Sequence, residues 1–173
     1  MIPSPATFWQ STEHVAPQIV VLTGDMGAGK TGWCAELAAY VKALGLRVAG
    51  LLSPAVFDAG QKTAIDVLDL ASGRRQRLAV RRSAPDSLST TPNWQFDGAV
   101  LAWGDAVLGA LGACDLLVID ELGPLELIHR QGWQQALPLL AKQQYQAACV
   151  VVRQSLTPIF CERFPTAKVL SLN

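Results

Sequence analysis

Residues 19–23, 48–52, 116–119 and 148–152 form short, almost uninterrupted apolar runs. A strand with one solvated face alternates in polarity, whereas a strand covered on both faces does not. These runs therefore predict buried strands of a parallel sheet. Residues 168–172 read as a closing strand. Between the strands the pattern changes to helical spacing. Residues 33–44 have helical composition, and Gly45 marks the turn before the second strand. A second helix is predicted after Asp97 as N-cap, running through Val100, Leu101, Val107, Leu108 and Leu111 to Gly112. A third covers residues 133–143, where Pro138 is expected to kink or divide it. Thr157 and Pro158 suit the N-cap and first position of a short helix.

One stretch breaks this rhythm. Residues 64–70 and 77–80 are strand-like and flank the turn Ala71-Ser72-Gly73-Arg74. So short a connection predicts an antiparallel hairpin. Arg74, Arg75, Arg77, Arg81 and Arg82 gather on it. Residues 83–93 are polar and proline-containing, and are expected to form a mobile loop. Trp94 and Phe96 flank that loop; stacking on a base is one use for them, and packing as core is the plainer expectation. The organisation expected is one domain over residues 1–173, with the hairpin and loop of about residues 55–96 inserted.

Half of the 173 residues are apolar and 16% are charged, which excludes a disordered chain. The net charge is zero, so neither a nucleic acid nor an anionic membrane is the expected partner. Residues 1–18 are proline-rich and lack the basic start and apolar run of a signal peptide, so a cytoplasmic location is expected. Cys34, Cys114, Cys149 and Cys161 make no C-x-x-C pair, and are expected to be buried reduced thiols. His14 and His129 are too isolated to be proposed as ligands.

The chemistry begins where the first strand ends. Gly24-Asp25-Met26-Gly27-Ala28-Gly29-Lys30-Thr31 is G-x-x-x-x-G-K-T, set between a predicted strand and a predicted helix. Glycines let the backbone curl so that successive N–H groups face an anion, and the helix N-terminus adds partial positive charge. Lys30 supplies a point charge for the β- and γ-phosphates, and the Thr31 hydroxyl is an oxygen donor for Mg²⁺. A bare Gly-rich turn needs neither residue at those offsets. Nucleotide binding is expected over residues 24–32, Gly32 included. Directly after the apolar run 116–119 stand Asp120 and Glu121. An acid at the end of a central strand beside such a loop is the Walker B arrangement. Asp120 is the expected second Mg²⁺ residue, and Glu121 the residue that activates or positions a water. Together these features predict an α/β fold: a doubly wound, mostly parallel sheet of the P-loop NTPase, RecA-like kind with an antiparallel hairpin added.

The segment Asp120-Glu121-Leu122-Gly123-Pro124-Leu125-Glu126-Leu127 resembles the D-E-[I/L]-G-P-[M/L]-E-L signature of the THEP-type small nucleoside-triphosphatases. The resemblance spans most of the chain. The G-x-x-G-x-G-K-T form of the loop, the turn Asp69-Leu70-Ala71-Ser72-Gly73 and the pair Leu78-Ala79 agree with it. It implies Mg²⁺-dependent hydrolysis of ATP, GTP and other nucleoside triphosphates with little base preference. Two departures stand out. Gly32 and Trp33 follow Lys-Thr where many members have a second Thr. Ala55 and Phe57 occupy positions where a Glu and an Arg often fall. If those side chains meet phosphate in the family, this chain turns over slowly or uses its nucleotide as a switch.

Other candidates stand beside these. An arginine of the hairpin, or Arg153 after the strand 148–152, is placed to reach a γ-phosphate. A solvated hairpin and a surface ion pair are the plain alternatives. A small-molecule P-loop kinase, and a nucleotide-gated protein working with an unidentified protein partner in cofactor or metallocentre assembly, are the alternative functions.

Overall fold

The computed structural model describes residues 2–12 and 16–172. His14 lies outside them. The expected strands are β1 (Gln18–Gly24), β2 (Val48–Leu52), β7 (Cys114–Leu122), β8 (Tyr145–Val152) and β9 (Lys168–Leu172). They lie parallel in the order β2-β7-β8-β1-β9. Leu116, Leu117, Val118 and Ile119 of β7 are at most 1% exposed, as a strand without alternation requires.

The helices cover both faces. On one face lies α2 (Lys30–Ala43), burying Leu37 and Val41 against Val20, Leu22, Val118 and Val151. On the other, α3 (Gly98–Gly109), α5 (Ala136–Lys142) and α6 (Thr157–Arg163) cover Val21, Ile119 and Val150 with Leu108, Leu140 and Phe160. The Asp97 carboxylate caps α3, accepting from the N–H groups of Ala99 at 2.9 Å and Val100 at 3.1 Å. Pro138 neither kinks nor divides its helix. It occupies the first turn of α5, where a missing N–H breaks no intrahelical bond, so the helix begins later than expected.

The antiparallel addition is larger than a hairpin. β4 (Gln61–Asp69) and β5 (Arg75–Arg81) pair as expected, with Ala64 opposite Val80 and Leu68 opposite Arg75. Two further strands extend them, β3 (Ala55–Asp58) on β4 and β6 (Trp94–Phe96) on β5. β4 joins the parallel strands through Leu51 and Leu52 of β2. Its start therefore reaches past the C-terminal end of β2 and stands as a wall beside the edge where the parallel strands end.

Residues 2–12 also hold an element absent from the sequence expectation. α1 (Pro5–Ser11) is capped by the Ser4 hydroxyl, which accepts from the Thr7 N–H at 3.2 Å. It packs on α2: Phe8 meets Trp33 edge-on at 5.4 Å, and the Trp33 indole N–H donates to the Pro3 carbonyl at 3.2 Å. Cys34 and Cys149 are buried face to face, their sulfurs 3.6 Å apart, and the Cys34 thiol is pushed up by that hydrogen bond and by burial. Cys114 and Cys161 are only partly buried. No helix among the described residues is long and apolar enough to cross a membrane.

Candidate functional site

β1 ends at Gly24, whose φ is +136° and which lies so close to β9 that a Cβ would sit 1.9 Å from the Leu172 carbonyl oxygen. Glycine here is demanded by strand packing as much as by any ligand. Gly27 and Gly29 follow in the left-handed region, at φ +83° and +88°, with no atom within 4 Å of where a Cβ would stand. The turn between them closes with Ala28 N–H donating to Asp25 O at 3.2 Å, and Met26 at its tip is 96% exposed. Gly29 is the N-cap of α2, and Gly32 sits in its first turn. Lys30 curls back over the loop, its Nζ donating to the carbonyls of Gly24 at 2.8 Å and Asp25 at 2.6 Å.

Two strands away in the sheet, β7 ends in the acidic pair. Asp120 is 1% exposed, and burial pushes its pKa up to about 6. Hydrogen bonds from the Ser53 N–H, at 2.9 Å, and from the Thr31 hydroxyl oppose that rise. Ser53 closes the contact by donating its hydroxyl to the Asp120 carbonyl at 3.0 Å. Among the described residues no Lys or Arg forms an ion pair with Asp120. A nearly dry carboxylate beside a threonine hydroxyl is a pair of hard oxygen donors, which suits a divalent cation such as Mg²⁺. No larger cage is present: no three His, Cys, Asp or Glu side chains gather among the described residues. Such an ion would take its other ligands from phosphate and water.

Glu121 faces elsewhere. Its φ is +78°, rare for a residue with a side chain, and it lies where the β7–β8 register shifts between Ile119 and Leu122. Asp120 and Glu121 together fill the span that Val151 alone fills on β8. The bulge turns Glu121 to the surface, where its Oε1 accepts from Arg153 Nε at 2.7 Å. Arg153 directly follows β8, so Glu121 and Arg153 stand at the ends of adjacent strands.

Beyond the acidic pair, Glu126 of α4 (Pro124–Leu127) stands in the place the sequence suggested for it, orienting the segment after Glu121. Its carboxylate accepts from the N–H groups of Gly123 at 2.9 Å and Trp133 at 3.1 Å, tying down the segment behind Glu121. Ser53 was missed; the signal available was its place directly after a buried strand. The hairpin arginines are largely engaged elsewhere. Arg75 and Arg77 share the Asp66 carboxylate at 2.7 and 2.5 Å, and Arg74 lies 5.1 Å from the Trp103 ring centre. Trp94 is covered by Lys62 at 5.0 Å, and Phe96 is partly buried against the core. Gly32-Trp33, one of the two departures, has a structural reason, because Trp33 is the seat of α1. Ala55 and Phe57 lie on β3, with Phe57 63% exposed.

With this geometry, comparison with known proteins becomes specific. A family model described as NTPase matches residues 19–172. The chain belongs to this NTPase family. It is 32% identical over 113 residues to the nucleoside-triphosphatase THEP1 of Methanothermobacter thermautotrophicus. That alignment covers 65% of this chain and 64% of the relative, so it spans just under two thirds of the relative's length. The NTPase-family fold is shared with the solution structure of a human cancer-related nucleoside triphosphatase, at TM-score 0.65 and 20% identity over 90% of this chain and 89% of that one. It is shared too with the crystal structure of THEP1 from Aquifex aeolicus, at TM-score 0.62 and 16% identity over 90% of each chain.

Proposed function

We propose that this protein hydrolyses nucleoside 5'-triphosphates to diphosphate and phosphate, with Mg²⁺ and with relaxed base choice. The observation that carries the reading is the convergence, at one edge of the sheet, of the Gly24–Thr31 loop, the buried Asp120 bonded to Thr31, and the outward Glu121. In this reading the backbone of residues 24–32 and the N-terminus of α2 hold the phosphates. Lys30 exchanges the carbonyls of Gly24 and Asp25 for β- and γ-phosphate oxygens. Thr31 and Asp120 would hold Mg²⁺, which when bound would supply positive charge against the phosphate oxygens. Glu121 orients the attacking water and accepts its proton.

Arg153 fits the same scheme. Its pair with Glu121 is half exposed, and such a pair contributes at most about 1 kcal/mol to folding. So weak a tie is easily exchanged. A γ-phosphate entering beside Glu121 offers Arg153 a stronger partner and frees the carboxylate for water. Phosphate release from ATP, GTP, CTP and UTP, with Mg²⁺ and with EDTA and with no acceptor added, tests the reading. Mg²⁺-dependent release is expected. Its absence, with transfer only to an added metabolite, would instead establish a kinase.

A further inference from the structure

Arg82 ends the arginine cluster, and its guanidinium holds a buried donor atom without a partner. Its Nε–H is buried, donates to no acceptor atom, and forms no ion pair among the described residues. A buried donor left unpaired carries a desolvation penalty that proteins rarely tolerate without purpose. Arg82, directly after β5, lines a half-open cavity of about 240 Å³ together with residues of the 83–93 loop, β6, α3, α4 and the segment after α4. Thr91, Gln95 and Gln131 line it too, with Phe96 and Leu101 as an apolar wall. Hydroxyl, amide and guanidinium groups meet there, and no carboxylate lines it. The loop over the cavity carries backbone hydrogen bonds between its two arms. Arg82 N–H donates to Asn93 O and Asp86 N–H to Pro92 O, both at 3.0 Å.

The cavity also touches the segment behind Glu121. Gly132 lies in its lining, and a Cβ there would fall 2.0 Å from Glu126 Oε1. That carboxylate holds Gly123, two residues after Glu121, and Trp133, one residue after Gly132. One side chain thus links the cavity lining to the end of β7.

We propose that this cavity is a second ligand site. It takes a compact organic anion, a carboxylate or a phosphate ester, whose oxygens pair with the Arg82 guanidinium. Its occupant changes turnover by bearing on the segment that Glu126 holds. A planar guanidinium is matched to such oxyanions. The volume falls just below the ~300–1,000 Å³ usual for small-molecule pockets, which limits the occupant's size. Binding stands independently of the hydrolysis reading; the effect on turnover rests on it.

The test is an amide-shift titration of the full chain carrying Lys30→Ala, which removes the cation of the phosphate loop. Malonate and inorganic phosphate are titrated separately, with malonamide as the neutral control. Saturable shifts at Thr90, Thr91, Gln131 and Gly132 are expected for at least one anion and not for malonamide. Which anion titrates tells carboxylate from phosphate recognition. Arg82→Gln should raise Kd about tenfold or more, the effect of losing a charge-assisted contact. Gln131→Leu should weaken binding as well and gives the answer if Arg82→Gln does not fold. No shifts at these amides, or shifts indifferent to both substitutions, overturn the site. In the unsubstituted protein, with Mg²⁺ in excess, the binding anion should change kcat about fivefold. Binding with unchanged kcat overturns the coupling. A protein that hydrolyses no nucleotide at all fails the proposed function, and the titration still decides the site.

Discussion

Asp120 and Glu121 are neighbours in sequence and opposites in environment, one dry and bonded to Thr31 and Ser53, the other at the surface against Arg153. Their substitutions should therefore differ in kind. Glu121→Gln should bind Mg²⁺–ATP nearly as well as the parent while kcat falls about 10²-fold, the scale of losing a general base. Calorimetry beside single-turnover hydrolysis measures this, and hydrolysis at the parent rate would remove Glu121 from the chemistry. Asp120→Asn should instead weaken the Mg²⁺–nucleotide complex, and it should also change stability. Burial raises the Asp120 pKa from 3.8 to about 6, so the folded state favours the protonated acid. That contribution is fully present below pH ~4 and lost as the pH rises through ~6, a difference of about 3 kcal/mol. Asparagine cannot ionise and escapes the loss. Without Mg²⁺ or nucleotide, Asp120→Asn should melt above the parent at pH 7.5, and the gap should narrow towards pH 4. A mutant that melts lower at pH 7.5 would show that the ionised carboxylate is not penalised in place.

At the scale of elements, α1 and α2 form one unit that joins residues 2–12 to the phosphate loop. Trp33, three positions after Lys30, fills the contact between them. Trp33→Ala should cost about 3–5 kcal/mol, as for other buried aromatics, and lower Tm by about 10 °C. Because Trp33 also steadies the first turns of α2, KM for nucleotide should rise in the surviving folded protein. Thermal melts and steady-state kinetics check both; a large Tm loss with unchanged KM would detach α1 from the site. α1 was legible in principle, since Ser4-Pro5 is an N-cap followed by a first-position proline, but the proline-rich composition hid it. The buried parallel strands read correctly because absence of alternation is a property of each run alone. β3 and β6 did not, because three or four residues at a sheet edge carry too little periodicity to register. The loop geometry of residues 24–31 was readable for the same local reason. Ser53 on Asp120, Glu126 on Trp133 and Arg82 beside Gln131 depend on which elements the sheet and helices bring together, and no single window of sequence contains that.

At the scale of the molecule, the sheet order brings β2, β7, β8 and β1 side by side, and the candidate site lies along the edge where they end. Everything assigned there addresses phosphate, metal or water: backbone N–H groups, Lys30, Thr31, Asp120, Glu121 and Arg153. Two elements with aromatic or polar reach rise near that edge, β6 and the 83–93 loop, and both are committed. Trp94 lies under Lys62, Phe96 packs against the core, and the loop closes on itself through Asp86 and Pro92. A site that holds only the triphosphate discriminates poorly among bases, because specificity requires buried polar groups that a wrong base leaves unpaired. Turnover of ATP and GTP should accordingly agree within about tenfold, or about 1.4 kcal/mol of transition-state stabilisation. The comparison is made as kcat/KM for the two nucleotides under one Mg²⁺ concentration. A hundredfold preference would mean that some element reads the base edge. The wall of β4, β5 and β6 would then be the first place to substitute, since it is the part of this edge that stands clear of the phosphate loop.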